Sequence, residues 1–297
     1  MSDLHHPDEP PYSKTMLTRA LTAVGLPTTR AYELALRVEQ DLAAYGDAAL
    51  ELDHLEQLAS SVVGEEEAAA AVRKLRLYRE FRRLELPIVV MIGGGTGSGK
   101  SSVATEVAHR LGITRVTSTD VIRHTMRAFF SEQFMPSIHY SSFEAGRAHH
   151  EDEPNPVLSG FFDQTRNVLV GMGAVIQRAL SERWSIVLEG VHLVPGMLPP
   201  IERALVVHCV LHIEEPDAHA AHFWIRDTTS GGMRPVQRYL DALPDIRLIQ
   251  STIVERARRN DVPVIENRNI EWTITEVMDL VLSSVETSRP VAPGAGG

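Results

Sequence analysis

Apolar residues recur at helical spacing through the first part of the chain, then give way to short β-branched runs separated by helical stretches. Up to Leu86 the helical repeat appears at Leu17 and Leu21, then at Ala31, Leu34, Ala35, Val38 and Leu42. It returns at Leu52, Leu55, Leu58 and Val62, and again at Val72, Leu75, Tyr78 and Phe81. This predicts a small all-helical domain over residues 12–86, closed by Pro87, which disfavours helix in the residue before it. Beyond it, runs at Ile88–Ile92, Arg115–Ser118, Ser185–Leu188, Ala204–Ile213 and Val262–Ile265 predict five strands. Helical patterns alternate with them at Val103–Leu111, Val121–Phe130, Phe161–Leu180, Ala218–Asp227, Ile246–Arg258 and Thr273–Val285. The alternation predicts an α/β domain over residues 87–287, with a five-stranded, mainly parallel sheet between helices. Residues 1–11, with three prolines, read as a disordered lead-in, and residues 288–297 as a flexible tail.

The first β-branched run leads into Gly93-Gly94-Gly95-Thr96-Gly97-Ser98-Gly99-Lys100-Ser101-Ser102. Gly94 to Gly99, Lys100 and Ser101 match G-x-x-x-x-G-K-[ST], a phosphate-binding P-loop. Glycines let backbone N–H groups approach phosphate oxygens, and the helix that follows adds its positive end. Lys100 suits the β- and γ-phosphates of ATP, and the Ser101 hydroxyl suits Mg2+. A glycine-rich turn without ligand is the bland alternative, but the preceding strand and following helix supply the context the motif needs.

Composition narrows the setting. Of 297 residues, 43% are hydrophobic, enough for a sizeable core, and no apolar run approaches the roughly 20 residues of a membrane span. A polar, acidic start unlike a signal peptide points to the cytoplasm, with no membrane partner. The formal charge of −10 argues against nucleic acid. The cluster Arg73, Lys74, Arg76, Arg79, Arg82 and Arg83 reads as a solvated basic helix face. Cys209, the single cysteine, excludes an intrachain disulfide.

Ligands of open α/β sheets bind beyond the carboxyl ends of strands, which directs attention to the polar residues there. Asp120 follows the second strand, and Arg123 and Arg127 share one helix face. That set suits an anionic hydroxyl acceptor; Asp120 as a helix N-cap with surface arginines stays equally open. Glu189 ends the third strand as a candidate metal or catalytic acid, followed by His192 in the crevice or in a loop hydrogen bond. The polar segment Ser131–Pro156 offers His139, Tyr140, Ser141, Ser142, Glu144 and Arg147 as candidate acceptor ligands, or is a plain connection with a short helix near Phe143–His150. His149 and His150 lack the spacing of a zinc site. Arg226, Gly231-Gly232, Arg234 and Arg238 read as a hinged lid, or as a charged surface loop.

Taken together, these segments resemble one family, the 2-phosphoglycerate kinases. The likeness rests on Ile92 to Ser101, Ser118-Thr-Asp-Val-Ile-Arg123 with Met126-Arg127, Ser141 to Ala145, and Val187-Leu-Glu-Gly-Val-His-Leu-Val-Pro-Gly196. His222 to Arg226, Tyr239 and Ile246 to Gln250 extend it, so it covers roughly residues 88–270. The helical front resembles the ATP-cone-like domain found ahead of that kinase, without a basic β-hairpin, and is expected to be regulatory or oligomerising. The resemblance implies transfer of the ATP γ-phosphoryl group to the 3-hydroxyl of 2-phosphoglycerate, with Mg2+ held by Ser101 and Glu189. It implies catalytic roles for Lys100, Asp120, Glu189, Arg234 and Arg238. Nucleotide contacts are implied from Gly94, Gly95, Thr96, Gly97, Ser98, Gly99, Lys100, Ser101, Ser102 and Arg226. Acceptor contacts are implied from Asp120, Arg123, Arg127, His139, Ser142, Arg147 and His192. A kinase for another anionic hydroxy acid or sugar phosphate, and a non-catalytic ATP-binding regulator, remain as alternatives.

Overall fold

A computed structural model of the chain describes residues 13–45, 52–148, 154–229 and 236–287. The expected lead-in over 1–11, the tail over 288–297, Gly231, Gly232, Arg234 and the His149-His150 pair lie outside the described residues. These fall into two compact units, one holding residues up to Glu85 and those from Met278 on, the other Leu86–Val277.

The first unit is helical: α1 (Lys14–Ala23), α2 (Thr28–Tyr45), α3 (Leu52–Val63) and α4 (Glu65–Arg82). Ser13 caps α1 through its hydroxyl, which accepts from the Met16 amide at 3.4 Å. Glu65, Glu66 and Glu67 open α4 while Arg79 and Arg82 close it, a charge order that complements the helix dipole. Leu34, Val38 and Leu55 are completely buried, as their helical spacing predicts. Lys74 of α4 pairs with Asp279 at 2.6 Å.

The second unit runs β1 (Ile88–Gly94), α5 (Lys100–Leu111), β2 (Val116–Ser118), α6 (Thr119–Arg127), α7 (Pro156–Ser181), β3 (Ile186–Glu189) and β4 (Leu205–His212). It continues through α8 (Pro216–Thr229), α9 (Val236–Asp241), α10 (Leu243–Arg259), β5 (Val264–Glu266) and α11 (Ile270–Thr287), whose last turns belong to the helical unit. The sheet has the order β2-β3-β1-β4-β5, and every pairing is parallel, so the expected "mainly parallel" becomes wholly parallel. Every residue of β1 is buried, as befits a central strand covered on both faces. On one face Val89 and Met91 pack with Ile122, Val168 and Met172; on the other Val210 packs with Phe161, Ile246 and Ile253.

Two local differences stand out. Helix α7 begins five residues before the expected Phe161, because Asn155 caps it by accepting from the Leu158 amide at 3.1 Å and Pro156 occupies its first turn. The segment before it forms two 3-10 turns, Pro136–His139 and Ala145–Ala148, in place of one short helix.

Strand register brings the chemistry together. Glu189 at the end of β3 lies opposite Ile92 of β1 on one side and Ser118 of β2 on the other. The P-loop, Asp120 and Glu189 therefore emerge at the same edge of the sheet.

Candidate active site

The donor side is a backbone cradle. Gly97 and Gly99 both take φ of +86°, where a side chain is strained. A Cβ on Gly97 would also sit 2.5 Å from the Phe223 ring, and one on Gly99 2.3 Å from Asn267. Three successive carbonyls of the turn are bonded from outside: Thr96 by His219 Nε2 at 2.7 Å, Gly97 by His222 Nδ1 at 3.1 Å, and Ser98 by Asn267 Nδ2 at 3.0 Å. In a trans peptide the next amide points away from its carbonyl, so the amides of Gly97 and Gly99 face away from these supports. Gln250 fills the space beside Gly95 and bonds both backbone groups of Ile213, which joins the loop to the end of β4.

Three charged groups converge below the cradle. Lys100 is buried and donates to Gly95 O at 2.6 Å. Burial lowers its ammonium pKa, while the carboxylates of Glu189 and Asp120 pull the other way. The hydroxyl of Ser101 donates to Glu189 Oε1 at 3.1 Å. Burial raises the Glu189 carboxyl above its ordinary value, against the opposing pull of Lys100 and Ser101. Asp120 stays low: burial would raise it, but the positive charges around it outweigh that. Because burial pushes His192 down to about 4, its ring is neutral at pH 7, and there Arg123 and Lys100 hold Asp120 ionised.

Three adjoining cavities line up from donor to acceptor. The first, about 510 Å³, is walled by Ser101, Ser118, Asp120, His124 and Glu189. A connecting space of about 240 Å³ joins Thr96 to Asp120, Arg123, Ser142 and Arg238. The third, about 510 Å³, carries Arg123, Arg127, His139, Glu144, Arg147 and Arg238. Four guanidinium groups face one carboxylate there, a net positive surface suited to a small anion. Arg238 pairs with Glu144 and donates to Ser141 Oγ at 3.0 Å. The stack His219–Phe223–Tyr239, with ring centroids 5.5 and 5.0 Å apart, runs from the P-loop to the connecting space.

Known proteins resemble the chain over most of its length. Across 280 aligned residues, 93% of this chain and 85% of the relative, it is 35% identical to the 2-phosphoglycerate kinase of Methanopyrus kandleri. The chain belongs to the 2-phosphoglycerate kinase family. Relatives of the same name in Methanothermobacter thermautotrophicus (37% identity, 90% of this chain, 89% of the relative) and Pyrococcus furiosus (34%, 94% and 92%) agree. No family model matches the chain. Membership makes the protein a phosphotransferase.

Of the twenty residues that the family resemblance implies, ten line the cavities and six more belong to the P-loop turn and Lys100. His192 was expected at the acceptor; it is completely buried and lines none of the three cavities. Its Nδ1 lies 2.8 Å from Thr119 Oγ1 and its Nε2 2.9 Å from Gln164 Oε1. The cause is Gly190, which at φ +148° turns the chain after Glu189 inward and leaves no room for a Cβ beside Thr119. Arg123 lines the acceptor cavity, but its Nη1 also ties down the carbonyls of Ile138 (2.9 Å) and Tyr140 (2.8 Å). His139, at the cavity wall, shares a hydrogen bond with Phe130 O at 2.9 Å, and Ser142 sits 3.4 Å from Thr96 Oγ1. Ser102 lies on the exposed first turn of α5, outside the cavity walls. Arg226 lies on α8 with its side chain outside the described ones, and Arg234 lies outside the described residues altogether.

The structure adds residues that sequence reasoning missed. His124 lines all three cavities, one helical turn beyond Asp120, so helix phase alone pointed to it. His219 and Asn267 support the P-loop from 123 and 169 residues away, and no local pattern marks them. Among the described residues, no helix is long and apolar enough to cross a membrane.

Proposed function

We propose that this chain transfers the γ-phosphoryl group of ATP to the 3-hydroxyl of 2-phosphoglycerate, releasing ADP and 2,3-bisphosphoglycerate. The observation that carries the reading is the continuity of the P-loop, through Asp120, with a cavity lined by four arginines. An acceptor bearing a carboxylate and a phosphate matches that charge, and the hydroxyl it offers falls on the Asp120 side. Asp120, ionised at neutral pH, orients this hydroxyl and takes its proton as the new O–P bond forms and the bond to the ADP oxygen breaks. Lys100 and the amides of Gly97 and Gly99 bind the phosphates in the cradle. Arg123, Arg127, Arg147 and Arg238 hold the acceptor anions. A loose phosphoryl transition state needs such positioning and charge more than covalent help.

The oxygen donors of Ser101 and Glu189, 3.1 Å apart beside Asp120, suit Mg2+. No group of three or more His, Cys, Asp or Glu among the described residues makes a metal cage. An ion held there by one or two protein oxygens would be completed by phosphates and water. When bound, Mg2+ neutralises phosphate charge.

The test is ADP release with a panel of 2-phosphoglycerate, 3-phosphoglycerate, glycerate and sugar phosphates. Selective turnover of 2-phosphoglycerate is expected. Preference for another member would reassign the acceptor, and ATP binding without transfer to any would favour a regulatory protein.

A further inference from the structure

The buried side chains behind Asp120 form a closed ring of hydrogen bonds that begins and ends on α6. Asp120 Oδ1 accepts from Arg123 Nε at 3.2 Å. Arg123 Nη1 donates to Tyr140 O, which also accepts from Gln164 Nε2 at 3.1 Å. The same Gln164 amide nitrogen donates to Ser137 O, which leaves its Oε1 as the acceptor facing His192. His192 Nε2 therefore carries the proton, and its neutral Nδ1 accepts from the hydroxyl of Thr119, the residue before Asp120. Thr119, Gln164 and His192 are each at most 1% exposed and Arg123 is 6% exposed, so the bonds that join His192 to Thr119 and Gln164 are shielded from water. Each donor and acceptor around the ring has one consistent assignment, with Asp120 the one exposed member.

We propose that Thr119, His192 and Gln164 are positioning residues for phosphoryl transfer, which hold Asp120 in fixed relation to the acceptor wall of residues 137–140. The proposal rests on the kinase reading above. Asp120 is held from two sides, by Arg123 across the helix turn and by Thr119 through the main chain. Gln164 and Arg123 share the Tyr140 carbonyl, so α6 and the acceptor wall shift together or not at all. A ring of this kind fixes geometry without touching substrate, and its loss acts on turnover more than on ATP binding.

The test compares Thr119→Val, which keeps the side-chain shape and removes the hydroxyl, with Thr119→Ser, which keeps the hydroxyl. Steady-state kinetics are measured per folded molecule, with thermal melts alongside. Thr119→Val is expected to lower kcat for 2-phosphoglycerate about ten- to a hundred-fold, the scale of a small misplacement. The KM for ATP stays within about two-fold, and Thr119→Ser keeps most of the turnover. The double variant of Thr119→Val with His192→Asn costs no more than the worse single one, since both break the same ring. Wild-type kcat in folded Thr119→Val, or a loss that Thr119→Ser shares, would overturn the proposal. Wild-type turnover of the acceptor panel judges the substrate separately: if another phosphorylated hydroxy acid is preferred, the same ratios are read on that acceptor.

Discussion

The donor and acceptor halves of the site are built in opposite ways. The donor half is one contiguous stretch whose working surface is backbone, shaped by glycines and by three side chains that hold its carbonyls from outside. The acceptor half is gathered from α6, two 3-10 turns and α9, and its working surface is made of side-chain charges. Several supports share the task of holding the loop, so losing one leaves it partly held; losing a charge on either side removes something no neighbour replaces.

Removing the charge at the donor centre is the largest perturbation. Lys100→Ala is expected to reduce turnover by about 10²-fold or more with the fold kept, as read by ADP release and a thermal melt. Turnover near wild type would break the donor half of the account.

Acid exposes a weakness common to both halves, since each rests on a fully buried imidazole: His219 behind the P-loop and His192 behind Asp120. Burial pushes both down to about 4 from an ordinary value of 6.5. Between those values the unfolded chain binds a proton that the folded chain refuses. Stability is full above about pH 6.5 and is lost as pH falls towards about 4, by roughly 3 kcal/mol for each histidine at most. Urea midpoints across this window should fall with pH; a flat profile would show that these rings are not held neutral.

Single arginines of the acceptor half come next. Arg127→Ala is expected to raise the KM for 2-phosphoglycerate about ten-fold, the scale of one charge-assisted hydrogen bond, with the KM for ATP unchanged. A matching rise for ATP would mean that the cavities serve the nucleotide. The smallest effect is expected at a donor support. Asn267→Ala removes one carbonyl partner of the P-loop, worth about 1 kcal/mol, and should raise the KM for ATP by a few-fold without touching the acceptor.

The same contrast explains what could be read from the chain alone. The P-loop was legible because its residues are consecutive and its flanking strand and helix are periodic. Asp120 and Glu189 were legible because each directly follows an apolar strand run, where an α/β sheet opens. His192 shares that position yet points inward, since the backbone turn at Gly190 redirects the chain after Glu189. His219 and Asn267 were invisible because only the tertiary fold brings them to the loop. A five-stranded, mainly parallel sheet followed from the same strand-helix alternation, whereas the strand order, the wholly parallel pairing and the grouping of residues from Met278 on with the helical unit have no local signature.

On the proposed reading, the P-loop and the arginine-lined cavity form one transfer site meeting at Asp120. Phosphorus NMR of wild-type protein and Asp120→Asn, each with ATP, Mg2+ and 2-phosphoglycerate, tests it directly. Wild type is expected to give 2,3-bisphosphoglycerate in step with ADP, and the variant about 10²-fold less or lower still. ADP without bisphosphoglycerate, or equal product from the two proteins, would contradict it.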